Sequence, residues 1–249
     1  MIRQSIGLYR AQGIVLRSMR LGEADRIVTV YTSSHGRVRG VAKGARRTRS
    51  RFGARLDAFT HADVLLYKGR SDLDVITQAE ILGRPRRLRE DYASFCAASA
   101  MADAVDRTTP ERERNVRLFM LLRSGLEALE AGAADPALLA YALLAKLAST
   151  NGLHPTLGVC VECGSPARVG FSYARGGAVC TECLDRADPK ASIETLDEWT
   201  GLLTGEWDEL RRRRMVNGDR RDLGGLVLNF VQWHTESRLR AFSLLPVRS

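Results

Sequence analysis

Two patterns of hydrophobic positions divide the chain, and the first of them covers residues 1–82. Short apolar or alternating segments are separated there by Gly and Ser, which is typical of β-strands joined by turns. The predicted strands cover residues 11–17, 25–31, 36–41, 62–67 and 74–81. Five short strands in so short a segment favour a small closed barrel.

The second pattern begins near residue 84, where apolar residues recur at helical spacing. It predicts helices over residues 86–108, 110–132 and 136–151. The third segment is apolar around most of its circumference, which indicates a buried helix. Pro136 suits its first turn, and Gly152 suits its C-terminal stop.

The chain becomes helical again after Pro189. Thr195 with Glu198 fits a capping box at a helix start. A final helix is predicted from about residue 222 to 242, with an inner face formed by Leu226, Phe230, Trp233 and Leu239.

These patterns predict an α+β protein of several parts. Residues 1–82 form a five-stranded OB-fold barrel, although strand spacing alone equally allows an SH3-like barrel. An all-α domain follows in two parts, residues 83–157 and 189–249, around a Cys-rich module at residues 158–188. The hydrophobic content of 45% and the charged content of 27% are those of a globular protein and exclude a disordered one.

Four cysteines form the most specific local motif of the chain. They make two C-x-x-C pairs, Cys160 with Cys163 and Cys180 with Cys183, and residues 164–179 lie between the pairs. This spacing is typical of a structural Zn²⁺ site, in which each pair binds from a tight turn and the four thiolates complete a tetrahedron. The intervening segment indicates a short hairpin, so we predict a zinc-ribbon-like module.

Two other interpretations of these cysteines are less favoured. Disulfides require an oxidising compartment, and the first residues carry no signal peptide. A thioredoxin-like redox site has one C-x-x-C at a strand-to-helix turn rather than two matched pairs. The fifth cysteine, Cys96, stands among alanines and fits a small buried residue.

Positive charge is concentrated at the N-terminal end. The net charge is +9, and positions 1–60 hold 13 Lys/Arg against 3 Asp/Glu, whereas positions 61–249 hold 25 against 26. A field so concentrated attracts polyanions such as nucleic acids, the alternative being a solubilising surface. In a strand, Arg37 and Arg39 share a face, and the Arg-rich segment 45–55 is predicted to be a mobile loop.

Few aromatic residues accompany this basic segment. Tyr31 and Phe52 could stack on bases, but Tyr31, Phe59 and Tyr67 fit the barrel core better. We therefore predict DNA binding through phosphate contacts, with weak sequence preference and strong salt dependence. The predicted DNA-binding residues are Arg37, Arg39, Lys43, Arg46, Arg47, Arg49, Arg51 and Arg55.

The sequence contains none of the catalytic motifs that would indicate an enzyme. The chain has neither a G-x-x-x-x-G-K-[ST] phosphate loop nor a G-x-S-x-G elbow, and its four histidines lie far apart. We predict a non-enzymatic protein without catalytic residues, the alternatives being a metal-dependent nuclease or nucleotide transferase, or a zinc-ribbon RNA-binding factor. The longest apolar run, residues 137–145, is too short to span a bilayer, so we expect a cytoplasmic protein.

Several of these segments together resemble a known family. Residues 22–27 (GEADRI) and 41–47 (VAKGARR), with Gly36 and residues 56–59, are similar to the N-terminal signature of the RecO family of DNA-repair proteins. The resemblance continues through the helical region and the cysteine module to Ser237-Arg238. One departure is Ala58, where proline is expected.

The resemblance implies more than the residues alone. RecO-like proteins have an OB-fold, a helical bundle and a zinc module, bind single- and double-stranded DNA, and anneal complementary strands. They help to load the recombinase onto strands covered by single-strand-binding protein, with RecR and the acidic C-terminal tail of single-strand-binding protein as partners, which places them on the nucleoid. Carried over by position, the residues on the DNA-facing barrel are Arg37, Arg39, Lys43, Arg46 and Arg47.

Overall fold

The N-terminal strands close into a barrel. The computed structural model describes residues 7–69, 71–215 and 217–246. Its first five strands are β1 (Gly7–Leu21), β2 (Asp25–Thr32), β3 (Gly36–Ala42), β4 (His61–Lys68) and β5 (Asp74–Gly83). They form a closed barrel in the order β1-β2-β3-β5-β4, in which only the short β3–β5 pairing is parallel. The predicted OB-fold barrel is confirmed.

The long first strand makes closure possible. β1 has 15 residues, and it pairs with β4 through its first half and with β2 through its second half. A register shift between Val15 and Arg17 marks a bulge where the strand bends from one partner to the other. Alternate side chains of the strands fill the interior, among them Val28, Val30, Val38, Val64, Leu66 and Ile76.

The first helical region contains four helices. They are α1 (Arg87–Glu90), α2 (Tyr92–Thr108), α3 (Val116–Glu130) and α4 (Pro136–Thr150). The predicted single helix at 86–108 is interrupted at Asp91, whose carboxylate accepts the Ser94 N–H at 2.8 Å and caps α2. The next predicted helix begins later than residue 110, because Asn115 caps α3 by accepting the Leu118 N–H at 3.0 Å. The buried helix α4 agrees with the prediction.

Three more helices and a small hairpin complete the fold. The hairpin strands are β6 (Gly170–Ser172) and β7 (Gly177–Val179), and the helices are α5 (Ile193–Thr204), α6 (Trp207–Leu210) and α7 (Asn217–Thr235). Short 3₁₀ turns lie at Gly53–Leu56 and Arg240–Leu244. The predicted capping box at Thr195 is wrong, because Ser192 caps α5 and accepts the Thr195 N–H at 3.2 Å.

The last helix differs from its prediction at both ends. It begins at Asn217, about five positions earlier than predicted, and stops at Thr235, so the buried Leu239 reaches the core from the chain that follows. Trp233 is 60% exposed, so its place on the inner face is a wrong prediction. The buried face is centred between Leu223 and Val227, which leaves Trp233 at the edge of that face in the last helical turn.

The helices and the barrel share one hydrophobic core. Helix α4 lies at the centre and contacts α2, α3, α5 and α7. Barrel residues Ile14, Leu16, Tyr31 and Phe59 belong to the same buried cluster as the helices. The barrel is therefore docked against the helical region. The predicted domain boundaries at residues 82, 157 and 188 stay a prediction. Within the described residues, no helix combines the length and apolar character that crossing a membrane demands.

Candidate nucleic-acid interface and metal centre

The two turns that carry the N-terminal signature are hydrogen-bonded to each other. Gly44, which has a left-handed φ of +68°, donates its N–H to Asp25 Oδ1 at 2.7 Å. The Arg46 guanidinium donates to the carbonyls of Gly22 and Glu23 at 3.1 and 2.9 Å. The β1–β2 turn and the start of the β3–β4 connection thus form a single structural unit.

The Arg-rich segment packs against the barrel. Phe52 and Leu56 are buried in the barrel core, with Ala45 in the same cluster. The segment therefore differs from the predicted mobile loop, because its few apolar residues anchor it. Phe52 and Tyr31 are both buried and cannot stack on bases, whereas Tyr67, predicted as core, is 42% exposed.

Six of the eight predicted DNA-binding side chains lie in this segment or two positions before it, and all six are exposed. None of the six forms an ion pair with any residue that the structure describes, so their positive charge is uncompensated. Some are held in place by the backbone, since Arg55 Nη1 donates to the Arg51 carbonyl at 2.9 Å. The exposed set is Lys43, Arg46, Arg47, Arg49, Arg51 and Arg55, and we call it the basic surface.

The other two predicted residues face the helical region. Arg37 Nη1 lies 3.0 Å from Asp106 Oδ1, and Arg39 Nε lies 2.7 Å from Glu111 Oε1. The backbone N–H of Arg112 also donates to the Arg37 carbonyl at 2.9 Å. The shared face predicted from alternation is present, but it meets the last turn of α2 and the α2–α3 connection. A DNA contact by Arg37 or Arg39 stays a prediction and would have to compete with these acids.

Sequence reasoning did not select three arginines that lie nearby. Arg17 Nε lies 3.0 Å from Asp106 Oδ2. Arg26 and Arg89 share Asp57, with N–O distances of 3.3 and 3.0 Å. Their positive charge was the only signal available, because the carboxylates that orient them are distant in sequence.

The turn at Ala58 forms without the expected proline. The Thr60 N–H donates to the Asp57 carbonyl at 3.2 Å, and Phe59 has a left-handed φ of 66°. Ala58 thus occupies the first central position of a four-residue turn, a position that proline favours. The departure from the family pattern leaves this turn intact.

Replacing Asp25 is expected to loosen the start of the basic surface. A hydrogen bond to a charged group is worth about 1.5–3 kcal/mol, so Asp25→Ala should lower the free energy of unfolding by about that amount. The matched control is Asp25→Asn, which makes the same charge change but retains an acceptor oxygen and should lose less. Urea unfolding measures both, and equal midpoints for the two variants would contradict a role for the Gly44 hydrogen bond.

The four cysteines meet at one point. All four Sγ atoms lie within 4.8 Å of one another, and those of Cys163 and Cys180 are 3.7 Å apart. Each pair sits on a tight turn, in which the Gly164 N–H donates to the Cys160 carbonyl at 2.9 Å and the Cys183 N–H donates to the Cys180 carbonyl at 3.2 Å. The predicted clustering is confirmed, and the distances between the four Sγ atoms would allow one metal ion to bind to all of them.

Hydrogen bonds change the acidity of the thiols at this site. The backbone N–H of Cys163 donates to the Cys160 sulfur, which lowers the pKa of that thiol to about 6. The Cys183 thiol donates a hydrogen bond to the Cys180 sulfur, which stabilises its protonated form and raises its pKa to about 12. A bound cation would stabilise all the thiolates together, and an all-sulfur tetrahedral donor set fits Zn²⁺.

The cysteine module is packed on the helical core through an aromatic cluster. The Phe171 ring from β6 lies 4.8 Å from the Trp199 ring of α5 and 5.6 Å from the Phe230 ring of α7, measured between centroids. All three side chains are buried. The conformation of the module is therefore linked to the packing of two helices.

Known proteins share both halves of this architecture. The family model described as Recombination protein O N terminal matches residues 6–84, and the one described as Recombination protein O C terminal matches residues 89–241. The chain belongs to the RecO family. The resemblance inferred from the signature residues is therefore confirmed, and the junction between the two RecO models falls between β5 and α2.

Curated relatives named DNA repair protein RecO are similar over nearly their whole length. The protein from Thermobifida fusca (strain YX) is 41% identical over 243 residues, covering 96% of this chain and 99% of the relative. The protein from Cutibacterium acnes (strain DSM 16379 / KPA171202) is 41% identical over 245 residues, covering 95% and 98%. The protein from Streptomyces coelicolor (strain ATCC BAA-471 / A3(2) / M145) is 39% identical over 247 residues, with the same coverage.

Proposed function

We propose that this RecO-family chain is a non-enzymatic mediator of DNA repair that binds single- and double-stranded DNA and anneals complementary strands. It would also help to load a recombinase onto strands covered by single-strand-binding protein. The observation that carries the proposal is the basic surface, where six exposed cations have no acidic partner among the described residues. Membership of a DNA-repair family supports the choice of DNA as the polyanion.

Annealing places modest demands on such a surface. Two DNA strands repel each other, and a cationic surface that contacts both lowers that repulsion. Phosphate contacts carry no sequence information, so the bases remain free to search for their complements. Because Tyr31 and Phe52 are buried, DNA binding at the basic surface does not involve base stacking on these two residues.

The remaining parts of the proposal concern metal and partners. The four cysteines would hold one structural Zn²⁺, which closes the site and leaves no coordination position for a water molecule. A RecR-like protein and the acidic C-terminal tail of single-strand-binding protein are the proposed protein partners, on the strength of family membership. The proposed location is the cytoplasm, on the nucleoid.

Removing cations from the basic surface is expected to reduce both DNA affinity and its salt dependence. The variant combines Lys43→Ala, Arg47→Ala and Arg49→Ala, which spares the structural Arg46. Each lost phosphate contact flattens the slope of log K against log salt by about 0.7 for single strands, so the slope should fall by about 2. Fluorescence anisotropy of a labelled oligonucleotide across a salt series measures this change.

The control removes the same charge from elsewhere in the molecule. Arg186, Lys190 and Arg212 are exposed and lie outside the barrel, so their triple alanine variant should keep the wild-type slope. If both variants lose the same slope, net charge rather than the basic surface determines binding.

The mediator is separated from the alternatives by activity assays. Annealing of complementary strands, with and without single-strand-binding protein and across salt, tests the proposed activity. Incubation of labelled DNA with Mg²⁺ tests for turnover, which would favour a nuclease. Stronger competition by RNA than by single-stranded DNA at fixed salt would favour an RNA-binding factor.

A further inference from the structure

A groove lies between the second half of β1 and helix α2. It has a volume of about 320 Å³, and its walls are mostly apolar. Leu16 lines it from the barrel, Phe59 from the β3–β4 connection, and Phe95 and Ala102 from α2. Ala241 closes it from the C-terminal segment. The groove is thus built by both halves of the protein.

Two exposed aromatic side chains lie in and beside this groove. Phe95 is 43% exposed and contacts the buried Phe59 ring edge-on, with 5.7 Å between centroids. Tyr92 is 70% exposed and precedes Phe95 by three positions, so both lie on the same side of α2. Aromatic faces left open to solvent beside an apolar groove are suited to stacking with a planar ligand.

The rim of the groove carries an excess of positive charge. Arg17 lines the groove and is paired with Asp106, whereas the exposed Arg20 on β1 and Arg240 beside Ala241 form no ion pair with a described residue. The two carboxylates in the wall are already compensated. Asp103 pairs with Arg107 at 2.6 Å, and Asp106 pairs with Arg17 and Arg37. A ligand entering the groove therefore meets a cationic rim, which favours a polyanion.

A polar atom in the wall lacks a partner. Ser18 lines the groove, and its Oγ is buried without a hydrogen-bond partner among the residues that the structure describes. A buried hydroxyl without a partner is costly, and a rotation about χ1 that turns it towards the groove would let the donor or acceptor edge of a ligand satisfy it. The edge of a nucleobase has such groups.

The groove is continuous with the basic surface. β1 runs from Leu16 at the groove to Leu21, and the carbonyl of the next residue, Gly22, accepts a hydrogen bond from Arg46. At about 3.3 Å per residue, this path is roughly 20 Å long. Exposed Arg20 shares a face of β1 with Ser18, which lines the groove, so it offers a phosphate contact between the groove and Arg46.

We propose that unpaired nucleobases of a strand bound to the basic surface stack on Phe95 and Tyr92 in this groove. The proposal rests on the proposed DNA binding and adds a site at which bases, rather than phosphates, are contacted. Paired bases are stacked inside a duplex and cannot reach the aromatic faces, so the groove favours single strands. This contact is tolerant of sequence because every base has a π-face.

The experiment compares three probes of equal length, an oligothymidylate, a strand of abasic residues, and a blunt duplex. The wild type should bind the oligothymidylate more tightly than the abasic strand. Phe95→Ala with Tyr92→Ala should weaken oligothymidylate binding by about tenfold or more, since stacking contributes substantially per base. Binding of the abasic strand and the duplex should change less than twofold.

Further variants control for a folding defect. The pair Phe95→Leu with Tyr92→Leu keeps an apolar contact with Phe59 but removes both aromatic rings, and it should show the same selective loss. Tyr67→Ala removes an aromatic residue of similar exposure, 42%, outside the groove and should leave all three affinities unchanged. Quenching of a 2-aminopurine base in the strand reports stacking directly and should disappear in both double variants.

The outcomes separate this proposal from the proposed function. Equal wild-type affinities for thymidylate and abasic strands, unaffected by the Phe95 variants, would overturn base stacking while DNA binding stands, and the groove would then be open to an apolar peptide. Failure of the wild type to bind any of the three probes would overturn the proposed function itself.

Discussion

Loss of the metal from the four-cysteine site is expected to unfold the module and to destabilise the helical region beneath it. The Phe171 ring from the module is packed against Trp199 and Phe230, so its release exposes the aromatic cluster. Structural zinc contributes about 10–16 kcal/mol in isolated zinc-finger peptides. If metal loss lowers the free energy of unfolding of this chain by only about 4 kcal/mol, Tm should fall by about 8–16 °C for a chain of this size.

The measurement combines metal content with thermal unfolding. The wild type should contain one zinc per chain, and Cys160→Ser should contain none and unfold at the lower temperature. The control is Cys96→Ala, since Cys96 is buried in α2 and lies outside the site, so metal content should be unchanged. A metal-free wild type that keeps its Tm would contradict the structural role.

Zinc affinity should also depend on pH in a defined direction. The thiols must lose their protons to bind zinc, so affinity falls as pH falls. The pKa of Cys160 is lowered to about 6 by the Cys163 N–H, and below that pH its proton also competes with the metal. The dependence of affinity on pH should therefore become steeper below about 6, as measured by competition with a chromogenic chelator.

Replacement of Asp74 is expected to produce the second large effect. Its carboxylate is completely buried on β5, where it accepts hydrogen bonds from Tyr9 and from Arg112 Nη2, the latter at 2.6 Å, and lies 3.7 Å from Lys68 Nζ. Burial and this carboxylate raise the pKa of Tyr9, so the phenol stays a donor. Arg112 belongs to the α2–α3 connection, so the cluster ties the barrel to the helices.

Asp74→Ala would leave the charges of Arg112 and Lys68 without their partner. Breaking a buried ion pair by removing one member costs about 3–5 kcal/mol, and we expect a loss of that size in the free energy of unfolding. The control is Asp72→Ala, since Asp72 is exposed two positions earlier and should change stability by less than about 0.5 kcal/mol. Coincident urea transitions for the two variants would show that the cluster does not hold the two parts together.

Local patterns in the sequence predicted much of the fold. The five strands, the buried helix α4 and the meeting of four cysteines all follow from alternation, helical periodicity and the spacing of two C-x-x-C pairs. Each of these features depends on residues that are close together in the chain, so the local sequence is sufficient to predict it. The excess of arginine over positions 1–60 likewise indicates a polyanionic ligand from composition alone.

Packing between distant segments decided what local patterns could not. Phe52 is buried because the barrel core accepts it, and Trp233 is exposed because the core ends before the last turn of α7. Asp91 ends one helix and starts another, although periodicity continues across it.

The same reason governs the candidate site. The arginines of β3 and those of the β3–β4 connection are equivalent by composition, yet Arg37 and Arg39 are compensated by Asp106 and Glu111 while the basic surface is not. Those acids lie 69 and 72 positions further along the chain. Whether a charge is available to a ligand depends on the neighbours that folding brings to it, and only the tertiary structure shows those neighbours.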